Sequence, residues 1–183
     1  SIIKDGDLAL QRNINYGVDS AIETVRAFPQ FGENLSQQEA LMVLHDRRCL
    51  KDSLNGIDTS DMDTQDQLLE NAKMEVTESF RYMVGNISRI MDYYISRNTD
   101  ATFSSIQICG LGAGIKGVRR LLANELAQRV EVVYALDKYT YPEFSEKEGL
   151  YLYTAVIAPM RSGVNLMEKT TRKKKENKDS LSG

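Results

Sequence analysis

The 183-residue chain contains no tryptophan, three prolines, two cysteines and one histidine. Each scarcity closes off a class of protein. Cys49 and Cys109 are too few for a disulfide-stapled scaffold. A chain of this length needs none, because it can bury roughly 70% of its apolar surface in its own core. The expectation is a reduced chain, with Cys109 a buried thiol inside an apolar stretch. His45 has no second histidine and no cysteine cluster, so a metal site is not expected. No apolar run approaches the ~20 residues that a membrane span requires. Nor is there an excess of positive charge. The net charge is −3, and no aromatic residues interleave the lysines, which argues against a nucleic-acid surface. That small number hides an asymmetry. From Glu168 onward the tail carries Lys169, Arg172, Lys173, Lys174, Lys175 and Lys178 against Glu168, Glu176 and Asp179, a net of +3, so the remainder is −6.

What is present is a mixed α/β pattern. Asp5-Gly6 lies between Ile2-Ile3-Lys4 and the run Leu8 to Ile14, a tight-hairpin signal. Leu8 and Leu10 alternate with Ala9 and Gln11, which predicts one buried face, and Gly17 ends the segment. Asp19 to Phe28 reads as a short helix stopped by Pro29. Ser36-Gln37-Gln38-Glu39 is a capping box opening a helix through about Leu44. Asp46 to Asp66 is polar and Asp-rich and reads as a mobile loop. From Leu68 to Tyr94, apolar residues recur every three or four positions, a single helical stripe of roughly seven turns that Gly85 weakens. After a loop at 98–105 come a strand, Ile106 to Cys109, a flexible turn, Gly110 to Gly114, an amphipathic helix with Val118, Leu121, Leu122 and Leu126, and a second strand, Val130 to Leu136. That order predicts a right-handed α/β crossover. Gly149 to Met160 reads as a further helix, and the charged segment from Glu168 as disordered.

Glycines between a strand and a helix let backbone approach a ligand, and helix N-terminal N–H groups favour an anion. Here the pattern Gly-x-Gly-x-Gly is not a Walker loop and lacks the acidic partner of a dinucleotide fingerprint. From spacing alone it is better read as a tight strand-to-helix turn. However, Ile108 to Val118 resembles the adenosine motif of actin-like ATPases of the PilM type, which serve the type IV pilus machine, and of their relative FtsA. The hairpin with its Gly17 turn resembles the start of that fold's second lobe. Leu68 to Tyr94, ending Asp92-Tyr93-Tyr94, resembles the helix before the adenosine strand.

The resemblance implies a second lobe of an actin-like, ribonuclease H-like ATPase fold. It would have a mixed sheet of four or five strands in 1–35 and 98–167, a helical insertion at 36–97 and a basic disordered tail at 168–183. It implies nucleotide contacts at Gly17, Gly110, Gly112, Ala113 and Gly117, with ATP a cofactor only of an intact, longer protein, because the family's phosphate loops would lie before Ser1. Three positions depart from the family's pattern: Val18 and Leu111 replace glycines, and Leu44 replaces a lysine near the adenine. Val164-Asn165-Leu166-Met167-Glu168 resembles the PilN peptide that docks on PilM, with Asn165 and Leu166 the matching residues, as in a PilM–PilN fusion continuing into a membrane helix; the same residues also read as the end of the last helix, with Lys173 to Lys175 a solvated tail. The expectation is a non-catalytic cytoplasmic scaffold at the inner face of the cell membrane, partnered by PilN- and PilO-like platform proteins and cytoplasmic motor components. The alternatives are a nucleotide-switching ATP-binding lobe, PilM- or FtsA-like, and an unrelated α/β domain binding a phosphate ligand. For the latter no acid–base set is evident, and Lys116 and Arg119 read as solvent-facing helix residues.

Overall fold

A computed structural model of the chain describes residues 1–55 and 63–133. The expected helix at 149–160, the tail, and Asn165 and Leu166 lie outside the described residues.

The chain begins with an antiparallel hairpin, β1 (Ile2–Lys4) and β2 (Asp7–Leu10). Asp5 and Gly6 both have positive φ, 52° and 88°, the requirement of a tight two-residue turn. The predicted buried face is not found. Ile3 and Leu8 are cross-strand neighbours on one face, and they are 61% and 57% exposed. Alternation says which side chains share a face; it does not say what covers that face.

Helix α1 (Asp19–Ala27) buries Ala21, Ile22 and Val25. It packs on α2 (Gln37–Asp46) and on α3 (Thr64–Glu78). The capping box of α2 forms as read. The Ser36 hydroxyl accepts from the Glu39 N–H, and the Glu39 carboxylate accepts from the Ser36 N–H at 2.8 Å.

The predicted single long helix is two. Helix α3 ends at Glu78 and α4 spans Arg81–Arg97. The break falls at Ser79 and Phe80, not at Gly85. Thr77 Oγ1 donates to the Lys73 carbonyl at 2.7 Å and Ser79 Oγ to the Val76 carbonyl at 2.6 Å. Such back-bonding competes with the main-chain ladder and bends helices. The ladder slips there by one residue, with Phe80 N–H bonding the Thr77 carbonyl, and the Phe80 ring turns into the core at 2% exposure.

The segment at 47–55 is no loose loop. Cys49, Leu50 and Leu54 are buried in it, so the buried thiol is Cys49, whereas Cys109 is exposed. Residues 56–62 are outside the described set, and α3 starts behind an Asp63 N-cap.

The strand–turn–helix–strand unit is present. Strand β3 (Ile106–Ile108) leads through a 3-10 turn (Leu111–Gly114) to α5 (Val118–Leu126) and then to β4 (Val130–Val132), parallel to β3. Ile106 and Ile108 face the core while Gln107 points out, the strand period of two. Among the described residues the strands form two separate pairs, not one four- or five-stranded sheet. The class is mixed α/β. One apolar cluster joins α1, α2, α3, Phe80, α5 and β4, with Leu44, Val76 and Leu121 fully buried.

Candidate functional site

The glycine turn after β3 sits where the N-terminus of α1, the C-terminus of α2 and the start of α5 converge. Gly110, at φ 82°, leaves the strand, and the chain then closes into a 3-10 turn. Ala113 N–H bonds the Gly110 carbonyl at 3.0 Å and Ile115 N–H the Gly112 carbonyl at 3.3 Å. Ala113 and Ile115 are buried and anchor the turn inward. It is therefore hydrogen-bonded and packed, unlike the flexible turn predicted. Gly117, at φ 101°, caps α5, and its N–H-to-carbonyl chain continues with Leu121 N–H on the Gly117 carbonyl at 2.9 Å.

The two glycine segments do meet. Val18 Cγ1 would lie 3.1 Å from a Cβ built on Gly112. Val18 also starts α1, its carbonyl accepting from Ile22 N–H. Gly17 itself is exposed, with the Asp19 carboxylate 3.8 Å from the position of an added Cβ.

Helix α2 reaches the turn through His45, not Leu44. Leu44 is fully buried in the core. His45 Nε2 donates to the Leu111 carbonyl at 3.1 Å. Partial burial pushes the imidazole pKa below its ordinary 6.5, more than the Leu111 carbonyl and Asp46 push it up. Lys116 precedes α5 instead of lying on it. Its N–H bonds the Leu44 carbonyl at 3.0 Å and its Nζ the Asp46 carbonyl at 2.6 Å. Arg119 is exposed on α5, as expected.

This arrangement limits what the turn can do. A phosphate cradle needs free backbone donors. The N–H groups of Ala113, Ile115, Lys116 and Val118 all bond carbonyls of the chain itself. Gly110 keeps an open side, with no atom within 4 Å of an added Cβ. No group of three metal-binding side chains occurs among the described residues.

Sequence reasoning missed the segment that braces this junction. Leu50 Cβ lies 3.2 Å from the position of a Gly117 Cβ. Asp52 pairs with Arg48, and with Arg120 at 3.3 Å, while Asn124 donates to its carbonyl at 2.8 Å. Burial pulls the Asp52 pKa up, but the hydrogen-bonded Arg48 and Arg120 guanidinium groups outweigh it and hold the carboxyl below its usual range. Glu125 Oε1 accepts from Ser53 Oγ at 2.7 Å and Leu54 N–H at 2.8 Å. On the other side, Lys51 pairs with Glu70, and Lys51 N–H donates to the buried Thr77 hydroxyl at 2.8 Å. The signal was available in Cys49-Leu50 and Leu54, apolar residues inside a polar stretch.

No family model, no curated protein and no solved structure matches the chain.

Proposed function

We propose that this chain is a non-catalytic scaffold, a PilM-like actin-type lobe of the type IV pilus inner-membrane platform with a degraded nucleotide site. One observation carries the reading. The two segments matched to the family's nucleotide-binding stretches lie against each other, and the space between them holds the protein's own Val18 where the family has glycine. Juxtaposition of Gly17-Val18 with Gly110 to Gly114 is what common ancestry with a nucleotide clamp requires. Occupation of the gap by a branched side chain, with the N–H groups of Ala113, Ile115, Lys116 and Val118 already bonded, is what loss of the ligand requires. The remaining work then falls to surfaces, with PilN- and PilO-like platform proteins and cytoplasmic motor components as partners at the inner face of the membrane. No helix among the described residues is long and apolar enough to cross a membrane, so that attachment would come from such partners or from sequence outside 1–133.

Isothermal titration of the full-length protein with ATP and magnesium tests the degraded site. No binding is expected, and micromolar binding overturns it. Deletion of the gene in a piliated host tests the platform role, and normal pilus assembly would remove that part of the reading. A nucleotide-switching lobe is the second reading, favoured by the open side of Gly110. Micromolar binding in the same titration would support it.

A further inference from the structure

We propose that the outward face of α4 is a self-association surface that receives the outward face of α3 from a second copy of this chain. Helix α4 turns Val84 and Tyr94 inward, with Met83 and Ile87 packed on the core. Tyr82, Gly85, Arg89, Tyr93 and Arg97 recur every three or four residues on the opposite side, a stripe about 22 Å long at 1.5 Å per residue. A face meant only for solvent is built from Lys, Glu and Gln. Helix α4 has none of these between Arg81 and Arg97. It has instead the residue types that dominate the energetics of protein interfaces, tyrosine and arginine.

The side chains are also held ready. Tyr82 is 55% exposed yet backed by the Tyr16 ring, centroid to centroid 6.4 Å. Tyr93 is 42% exposed and carries the Arg97 guanidinium 4.8 Å above its ring. Arg89 is fixed by the Gly85 carbonyl and Asn86 Oδ1. Among the described residues neither Arg89 nor Arg97 meets a carboxylate. Gly85 costs α4 about 1 kcal/mol relative to Ala. Nothing in the chain's own packing asks for it, because an added Cβ would meet no atom within 4 Å. A bare backbone patch between Tyr82 and Arg89 has a use if another helix approaches closely there.

The complementary surface is on the preceding helix. Leu68, Asn71, Glu75 and Glu78 form one exposed stripe of α3, with Leu68 49% exposed. Glu75 has no cationic partner among the described residues. With the helices parallel, Glu75 placed level with Arg89 sets Leu68 level with Tyr82 and Asn71 level with Gly85, while Glu78 stays paired with Arg81 of its own chain. The same two stripes are presented by every copy, so the contact is head to tail and open-ended. A single helix pair buries less than a stable complex does, so association is weak and appears at high protein concentration. This surface lies on helices that share in the family resemblance, but it uses none of the positions Gly17, Val18 and Gly110 to Gly117 on which the degraded-site reading depends.

Sedimentation and light scattering of the full chain across protein and salt concentration test it. The expected result is a mass that rises with concentration and falls with added salt. Arg89→Glu and Glu75→Arg should each weaken association about tenfold, since two like charges then face each other. An equimolar mixture of the two variants should associate again, because each supplies the half that the other lacks. Gly85→Leu should block the contact while leaving the fold at least as stable. A monomer under all conditions, or unchanged mass in Arg89→Glu, overturns the proposal. A lowered melting temperature in Arg89→Glu with unchanged mass also overturns it, because the stripe would then be bonded within its own chain.

Discussion

Glycine-to-alanine replacement at four positions should give four different answers, because each glycine has a different physical reason. Gly117 sits at φ 101°, with Leu50 Cβ 3.2 Å from an added methyl. The left-handed backbone costs a residue with a Cβ roughly 1–2 kcal/mol, and crowding adds to it. Gly117→Ala should therefore destabilise by about 2–3 kcal/mol. Gly110, at φ 82° and ψ −172°, occupies a region essentially reserved for glycine but has open space around it. Gly110→Ala should cost about 1–3 kcal/mol, and Gly110→Ser about the same, since only the backbone objects. Gly112 has no positive φ; its one close neighbour is Val18 Cγ1 at 3.1 Å. Gly112→Ala should cost under about 1 kcal/mol, and most of that should vanish in a Val18→Ala background. Gly85→Ala should stabilise by about 0.5–1 kcal/mol, because it restores helix propensity in open space. Urea unfolding followed by circular dichroism reads all four, with m compared to confirm that only the midpoint moves. A neutral Gly117→Ala, or a Gly112→Ala cost independent of Val18, would refute the account of the junction.

Thr77→Val should destabilise by about 1–3 kcal/mol in the same assay, because it leaves the Lys51 N–H buried without its acceptor; an effect below 0.5 kcal/mol would show that the bond is dispensable (roughly the scatter of a neutral substitution). Ser36→Ala should cost about 1 kcal/mol through the lost cap. The same capping bonds hold the Glu39 pKa below its ordinary 4.5, so the folded state binds fewer protons than the unfolded one there. That stabilisation is present above about pH 4.5 and lost as pH falls through the folded value, and the acid slope should flatten in Ser36→Ala. His45 is the only histidine, so its imidazole resonances report one site. Its midpoint should fall below 6.5, with stability declining as pH drops under that value because the unfolded chain takes the proton first; a midpoint at or above 6.5 would contradict its burial against the turn. In native protein at pH 8 a thiol reagent should label Cys109 alone, with Cys49, buried and its thiol pushed up to about 11, reacting only on unfolding.

The elements most legible in the sequence were those written in local chemistry. Asp5-Gly6 specified its turn and Ser36 with Glu39 its cap, because both depend on residues within four positions. The crossover from Ile106 to Val132 was legible for a similar reason: the period changes from two to 3.6 and back inside thirty residues. What failed was whatever depended on distant neighbours. The stripe from Leu68 to Tyr94 kept its periodicity across Ser79-Phe80, since two hydroxyl back-bonds bend a helix without disturbing its apolar pattern. Leu8 alternated correctly yet faces outward. Cys49 and Leu50 were hidden in an acidic stretch whose burial depends on Glu70, Thr77 and α5, all of them distant in sequence. The candidate site was legible in part. Gly17-Val18 and the turn at Gly110 were paired through resemblance, whereas His45 and the segment at 47–55 carry no motif.

The glycines themselves now weigh differently as evidence. Gly112 makes room for Val18, Gly117 makes room for Leu50 and bends left-handed, and Gly110 supplies a backbone angle that other residues avoid. Two of the three are accounted for by packing within the chain, with no ligand invoked. A run of glycines after a strand is therefore weaker evidence for a bound phosphate when its small size is already used by protein atoms and neighbouring amides, here those of Ala113, Ile115, Lys116 and Val118, already bond protein carbonyls. Stronger evidence of ligand binding would be a glycine whose absent side chain faces empty space beside unbonded N–H groups. Of these three, Gly110 alone meets the first half of that condition. Gly110→Ser consequently separates the two readings: a scaffold loses stability alone, whereas a nucleotide switch loses ATP affinity by more than its loss of stability explains.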